Sequence, residues 1–287
     1  MVDLACSLAL GAAALLVAVA YASRVARVGP ARHARIDRAG GSPLLGKGVM
    51  QMGYWAMRPV ARACIAVGIS ANAVSWTSLV LAAGAGVALA TGRFGQGAVL
   101  SVVSSVCDAL DGMVARETGT ASDAGEVLDA AIDRYAELFF LGGIAVHERQ
   151  DARTLVLALA ATAGAIMVSY ASAKAEAFRV QAPRGAMRRQ ERAVYLVLGA
   201  ALVPLAAAAT ARGLLPTGAD RAPLLLALAL VAVVGNVSAA RRMRAIAAAV
   251  RGPTPKLASA RVPQEARATR DEACPPEARI NPLKPVA

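Results

Sequence analysis

An all-α, polytopic integral membrane protein is what this sequence predicts, and three observations predict it. Apolar residues fall in seven runs of about 20, the length that crosses a ~30 Å hydrocarbon layer. Hydrophobic residues make up 57% of the chain and the mean hydropathy is +0.51, well above the balance of an ordinary soluble domain. The basic residues, which set the net charge of +12, collect between the apolar runs and on one side of them.

The first run, 3–22, lacks a positive leading segment and a small-residue cleavage site, so it reads as an uncleaved anchor followed by a basic linker to about residue 40. Residues 44–69 mix Tyr54, Trp55, Met and Leu with Lys47, Arg58 and Arg62, the composition of a helix lying in the membrane interface. Six further spans are predicted at 74–92, 96–115, 125–147, 153–174, 192–211 and 222–241. Glycines inside them, Gly84, Gly86, Gly142 and Gly143 among them, let helices approach closely. The core region is thus bounded at 41–250. From 251 to 287 the chain turns to Pro, Arg, Glu and Thr, which bury too little apolar surface to fold, and it reads as a disordered tail.

Twenty-five Lys and Arg residues fall on one side of these spans and five on the other. Loops rich in Lys and Arg stay in the cytoplasm, so the N-terminus is predicted outside and the tail inside a cell membrane. A basic face on a folded domain, which nucleic acid would require, is not suggested. The four cysteines, at 6, 64, 107 and 274, show no metal-binding or disulfide spacing.

The stretch from Cys107 to Tyr135, CDALDGMVARETGTASDAGEVLDAAIDRY, interrupts this apolar chain with charge. Asp108 and Asp111 are three apart at the end of one predicted span; Asp129 and Asp133 are four apart at the start of the next. Each pair shares a helix face. Four converging carboxylates in low dielectric need a compensating cation, and oxygen ligands favour Mg²⁺ or Mn²⁺, ions that keep coordination free for phosphate. Gly112 and Gly125 leave room for a phosphate or nucleotide near the backbone, and Arg116 supplies a positive fork. Acidic residues flanking a solvated loop would account for a lone DxxD, but not for the whole pattern DxxDGxxARx8GxxxDxxxD.

Asp108, Asp111, Gly112, Ala115, Arg116, Gly125, Asp129 and Asp133 together resemble the signature of the CDP-alcohol phosphatidyltransferases. The resemblance runs from about Leu44 to Ala249 and implies six core helices plus one extra N-terminal helix, an assembly of two identical chains, and displacement of CMP from a CDP-linked donor by an alcohol. It implies that Asp108, Asp111, Asp129 and Asp133 hold two divalent ions, that Asp133 is also the general base, and that Gly112, Ala115, Arg116, Ser122 and Gly125 line the CDP site. Ala71 stands where many members have Pro.

A second polar cluster runs from Ser169 to Ala200 and carries Lys174, Arg179, Arg184, Arg188, Arg189 and Arg192. Its SYxxAxAE and RxER arrangements are similar to the bacterial phosphatidylinositol phosphate synthase branch, which implies CDP-diacylglycerol as donor and assigns Lys174, Arg189 and Arg192 to the acceptor. Ser172 replaces a Lys and Lys174 an Arg of that branch, so inositol 1-phosphate, glycerol 3-phosphate and an unphosphorylated polyol all remain open as acceptors. A CDP-alcohol donor to diacylglycerol and a non-catalytic scaffold are the competing readings.

Overall fold

The structure is a computed structural model that describes residues 1–31, 46–180 and 186–251. The expected tail beyond Arg251, most of the basic linker, and Arg184 lie outside the described residues. Eight α-helices are present among them: α1 Val2–Val28, α2 Gly46–Val67, α3 Ala71–Ala90, α4 Phe94–Glu117, α5 Asp123–His147, α6 Ala152–Ala177, α7 Arg189–Ala211 and α8 Ala222–Arg251. All seven predicted spans and the interfacial helix are helical.

Helix starts follow the local sequence. Ser70 accepts the Ala73 N–H at 3.3 Å to open α3, Ser122 accepts the Gly125 N–H at 3.2 Å to open α5, and Asp151 accepts the Arg153 N–H at 3.0 Å to open α6. Six helices are long and apolar enough to cross a membrane: α1, α3, α4, α6, α7 and α8. Of the two others, α2 and α5, the longer, α5, falls short in hydropathy because Asp123, Glu126, Asp129, Asp133, Arg134 and Glu137 sit in its first 15 residues. Its 25 residues nevertheless run roughly 37 Å, enough to span. Asp133 and Glu137 are sheltered where α5 packs against its neighbours, α3 and α6 among them, whereas Glu126 is exposed. This is a multi-pass, all-helical membrane protein, and the outer faces of its spans carry exposed Leu15, Leu16, Val80, Val156, Leu226 and Val233, suited to lipid.

Two compact units divide the chain, Met1–Ile246 and Ala247–Ala287, and the second contributes only the last turn of α8 to the described residues. Within the first unit small residues do the packing that large apolar ones do in water-soluble cores. At the crossing of α3 and α5, a Cβ on Gly86 would lie 2.6 Å from the Phe139 carbonyl oxygen, and one on Gly143 would strike the Gly86 carbonyl. Helix α8 closes the bundle: Asn236 Nδ2 donates to the Ala160 carbonyl of α6 at 2.9 Å, and Gly199 of α7 sits against Leu224 and Ala227. A smaller cluster of Ala61, Val74, Leu110 and Met113 seats α2 against α3 and α4.

The extra helix α1 is fastened at both ends. Gln96 N–H donates to Asp3 Oδ1 at 2.9 Å, and Tyr21 packs on Trp55 of α2 with ring centroids 5.5 Å apart. The chain alternates so that one end of the bundle gathers Asp3, Gln96, Glu148 and Arg221, and the other gathers the quoted aspartates, Ser169, Arg189 and Arg242.

Candidate active site

The last three turns of α4 and the first three of α5 face each other across the turn 118–122, where Gly119 takes φ +70°. Asp108 from α4 and Asp129 and Asp133 from α5 come together there, one carboxylate oxygen of each lying within 4.8 Å of the others. Asp133 is buried and Asp108 half-buried.

Asp111 is the fourth expected member, and it is placed differently. It is buried, and its Oδ2 accepts a 2.5 Å hydrogen bond from the Ser75 hydroxyl of α3. Three residues along a helix rotate a side chain by about 60°, enough for Asp108 to face α5 while Asp111 addresses α3. Ser75 has no signature in the sequence that would have marked it. Next to it, Ser78 and Ser104 clasp α3 to α4, each hydroxyl donating to the other's carbonyl at 3.0 and 2.8 Å.

Arg189, the first residue of α7, reaches into the carboxylates. Its Nη1 lies 3.2 Å from Asp108 Oδ2 and also pairs with Asp133 Oδ1. Arg192, expected to face an acceptor, is instead enclosed: its side chain is 1% exposed, with Nε and Nη2 on Glu137 Oε1 at 2.8 and 2.7 Å and Nη1 on the Met187 carbonyl at 2.6 Å. Burial of a guanidinium requires that its donors be satisfied internally, and Glu137 supplies that. Lys174 lies over the rings of Tyr170 and Phe178, 5.5 and 5.8 Å from their centroids. Arg242 of α8, which the sequence reading passed over, donates to the Ser172 hydroxyl at 3.1 Å. Its place directly after the last predicted span, on the same helix face as Ser238 one turn earlier, is the signal that could have found it, as the position one turn after Asp133 could have found Glu137.

The expected CDP-lining residues sit around the 118–122 turn. Arg116 is exposed, and its guanidinium lies along α4 over Gly112, where a Cβ would be 2.9 Å from Nη1. Ala115 is half-buried. Ser122 and Gly125 are joined by the helix cap already described. Beside Asp133 a cavity of about 70 Å³ opens between α4, α5 and α7, lined by Ser101, Ser105, Glu137, Arg189 and Leu196.

The residues present fit a divalent cation. The donor set is carboxylate oxygen alone, as Mg²⁺ and Mn²⁺ prefer, and Asp108 Oδ1 is buried without a hydrogen-bond partner. The arrangement joins a cation site, a sheltered carboxylate and the Arg189 guanidinium at one end of a helical bundle, the equipment for phosphate-group chemistry.

That class has a family. The sequence model of the CDP-alcohol phosphatidyltransferase family matches residues 68–234, and the chain belongs to this family. Among similar proteins, a bifunctional IPC transferase and DIPP synthase of Rubrobacter xylanophilus is 36% identical over 187 residues, 62% of this chain and 37% of that one. A phosphatidylinositol phosphate synthase of Mycolicibacterium smegmatis is 32% identical over 152 residues, 52% of this chain and 68% of that one. The crystal structure of the Mycobacterium tuberculosis phosphatidylinositol phosphate synthase with CDP-DAG bound shares the fold, with a TM-score of 0.57 and 23% identity over 66% of this chain and 92% of that one. The same protein has been solved with manganese and citrate.

Proposed function

We propose that this protein transfers a phosphatidyl group from CDP-diacylglycerol to a small polyol phosphate, inositol 1-phosphate foremost, and releases CMP. The observation that carries the reading is the meeting of Asp108, Asp129 and Asp133 beside Arg189 in a chain of this family. Relatives named phosphatidylinositol phosphate synthase support the acceptor.

Asp108, Asp111 and Asp129, with Asp133, would hold Mg²⁺ or Mn²⁺, two ions in this reading; when bound, the metal neutralises charge on the diphosphate and on departing CMP. Asp133 accepts the proton of the acceptor hydroxyl as its oxygen forms the new bond to the lipid-linked phosphorus, while the bond from that phosphorus to CMP breaks. Gly112, Ala115, Arg116, Ser122 and Gly125 take the CDP portion, with Arg116 offered to phosphate oxygens. Arg189 and Lys174 offer positive charge to the acceptor's phosphate, and Arg242, beside Ser172, adds to it. The diacylglycerol tails remain in the bilayer.

The excess of basic residues at the aspartate end supports a cytoplasmic site, an external N-terminus and residence in the cell membrane. Assembly as a homodimer belongs to the same reading and rests on the family resemblance.

Purified protein in lipid, given CDP-diacylglycerol, Mg²⁺ or Mn²⁺, and inositol 1-phosphate, glycerol 3-phosphate, serine or inositol in separate reactions, tests it through CMP release and product mass. Release with inositol 1-phosphate alone is the expected result. No release from folded protein with CDP-diacylglycerol and any of these acceptors, or release only with serine or inositol, would overturn it.

A further inference from the structure

Two charge pairs join α5 to α7, one helical turn apart. Asp133 pairs with Arg189, and Glu137, four residues on, pairs with Arg192, three residues on. The two differ in enclosure. Arg189 keeps 32% of its side chain exposed, whereas Arg192 keeps 1% and Glu137 11%. Further bonds hold the inner pair: Arg192 Nη2 reaches the Ser169 hydroxyl of α6 at 3.3 Å, and Arg134 donates to that same hydroxyl.

The segment that leads into Arg189 is pinned by the same turn of α7. Met187 is buried, has φ +64°, a backbone state that a residue with a side chain rarely adopts, and both its polar backbone atoms are engaged. Its N–H donates to Glu191 Oε2 at 2.8 Å and its carbonyl accepts from Arg192 Nη1 at 2.6 Å. Arg188 N–H also donates to Glu191 Oε2, at 3.2 Å. Arg189 therefore leaves a backbone whose position is set by Glu191, Arg192 and Glu137.

We propose that Arg192 and Glu137 are positioning residues that act on the reaction through Arg189: the enclosed pair is a fixed strut that holds the Arg189 guanidinium against Asp108 and Asp133. The inference rests on the reading of those residues as one reactive site, and it removes Arg192 from the groups that touch the acceptor. A flexible arginine fixed within a fraction of an ångström of its partners retains more of its electrostatic effect than one free to explore solvent.

A double-mutant cycle on the full chain in lipid decides the matter, with Arg192→Gln measured in the native background and in Arg189→Gln. Mn²⁺ binding followed by electron paramagnetic resonance gives a readout independent of turnover. Loosening a guanidinium beside three carboxylates lets them bind a cation more tightly, so Arg192→Gln is expected to tighten Mn²⁺ binding about threefold to tenfold alone and less than twofold in Arg189→Gln. The value of kcat/KM for CMP release should fall about tenfold in the first background and stay within about twofold in the second. Equal effects in both backgrounds would overturn the proposal, because Arg192 would then act independently of Arg189. If Arg192→Gln does not fold, Arg192→Lys and Glu137→Gln run the same cycle, and failure of all three to fold would assign the pair to the fold alone and overturn it. A native protein that binds Mn²⁺ yet releases no CMP overturns the proposed reaction, while the Mn²⁺ cycle still decides the role of Arg192.

Discussion

Asp3, near the beginning of α1, accepts the Gln96 N–H at 2.9 Å and so caps the start of α4, which has no side-chain cap of its own. The bond places the helix outside the family core in direct support of the helix that carries Asp108 and Asp111. Asp3→Ala is expected to lower stability by about 1 kcal/mol, read as a lower melting temperature in detergent with CMP release at low temperature unchanged. Asp3→Asn, which keeps an acceptor oxygen, should sit close to the native value. Equal melting of native protein and Asp3→Ala would remove this role.

Ser75→Ala takes away the hydroxyl that Asp111 Oδ2 accepts from. A buried acceptor left unmade costs about 1–3 kcal/mol, and here the group that suffers is a proposed metal ligand. Higher Mg²⁺ demand for CMP release is expected, with Ser75→Thr close to native. An unchanged Mg²⁺ requirement in Ser75→Ala would separate Asp111 from the cation site.

Asp133→Asn keeps the shape of the side chain but removes its capacity to take a proton. CMP release is expected to drop by about 10²–10⁴-fold, with the helical circular dichroism and the melting profile retained. Turnover at the native rate would exclude Asp133 as the base.

Adjacent glycines on α5 make opposite predictions. Gly143 faces the Gly86 carbonyl, whereas nothing lies within 4 Å of a Cβ placed on Gly142. Gly143→Ala should therefore destabilise the bundle by about 1–3 kcal/mol through overpacking, and Gly142→Ala should be neutral or slightly stabilising. The melting temperatures of the two variants provide the comparison, and equal values would show that the α3 and α5 crossing can relax.

Much of this molecule was legible in its sequence. The apolar runs marked seven of the eight described helices, α5 included, because the aspartates interrupt its hydropathy without shortening the helix. The spacing of Asp108, Asp129 and Asp133 foretold their meeting. Arg192 is where sequence and structure part: a basic residue near a span end reads as solvent-facing or ligand-facing, and only the tertiary arrangement brings Glu137 of α5 within 2.7 Å to enclose it. Asp111 differs for a related reason, since its partner Ser75 lies 36 positions away on another helix.

The sequence by itself determined which segments are helices, that several are apolar enough to cross a membrane, and which carboxylates belong to one motif, because these follow from composition and spacing along one chain. Tertiary structure alone decided which charge faces which: Arg189 toward Asp108 and Asp133, Arg192 toward Glu137, Asp3 toward Gln96. Local periodicity specifies the direction of a side chain on its own helix, but the partner it meets depends on how close and at what angle another helix passes. In this protein that approach is governed by contacts such as Gly86 with Gly143 and Gly199 with Ala227, between residues far apart in the chain.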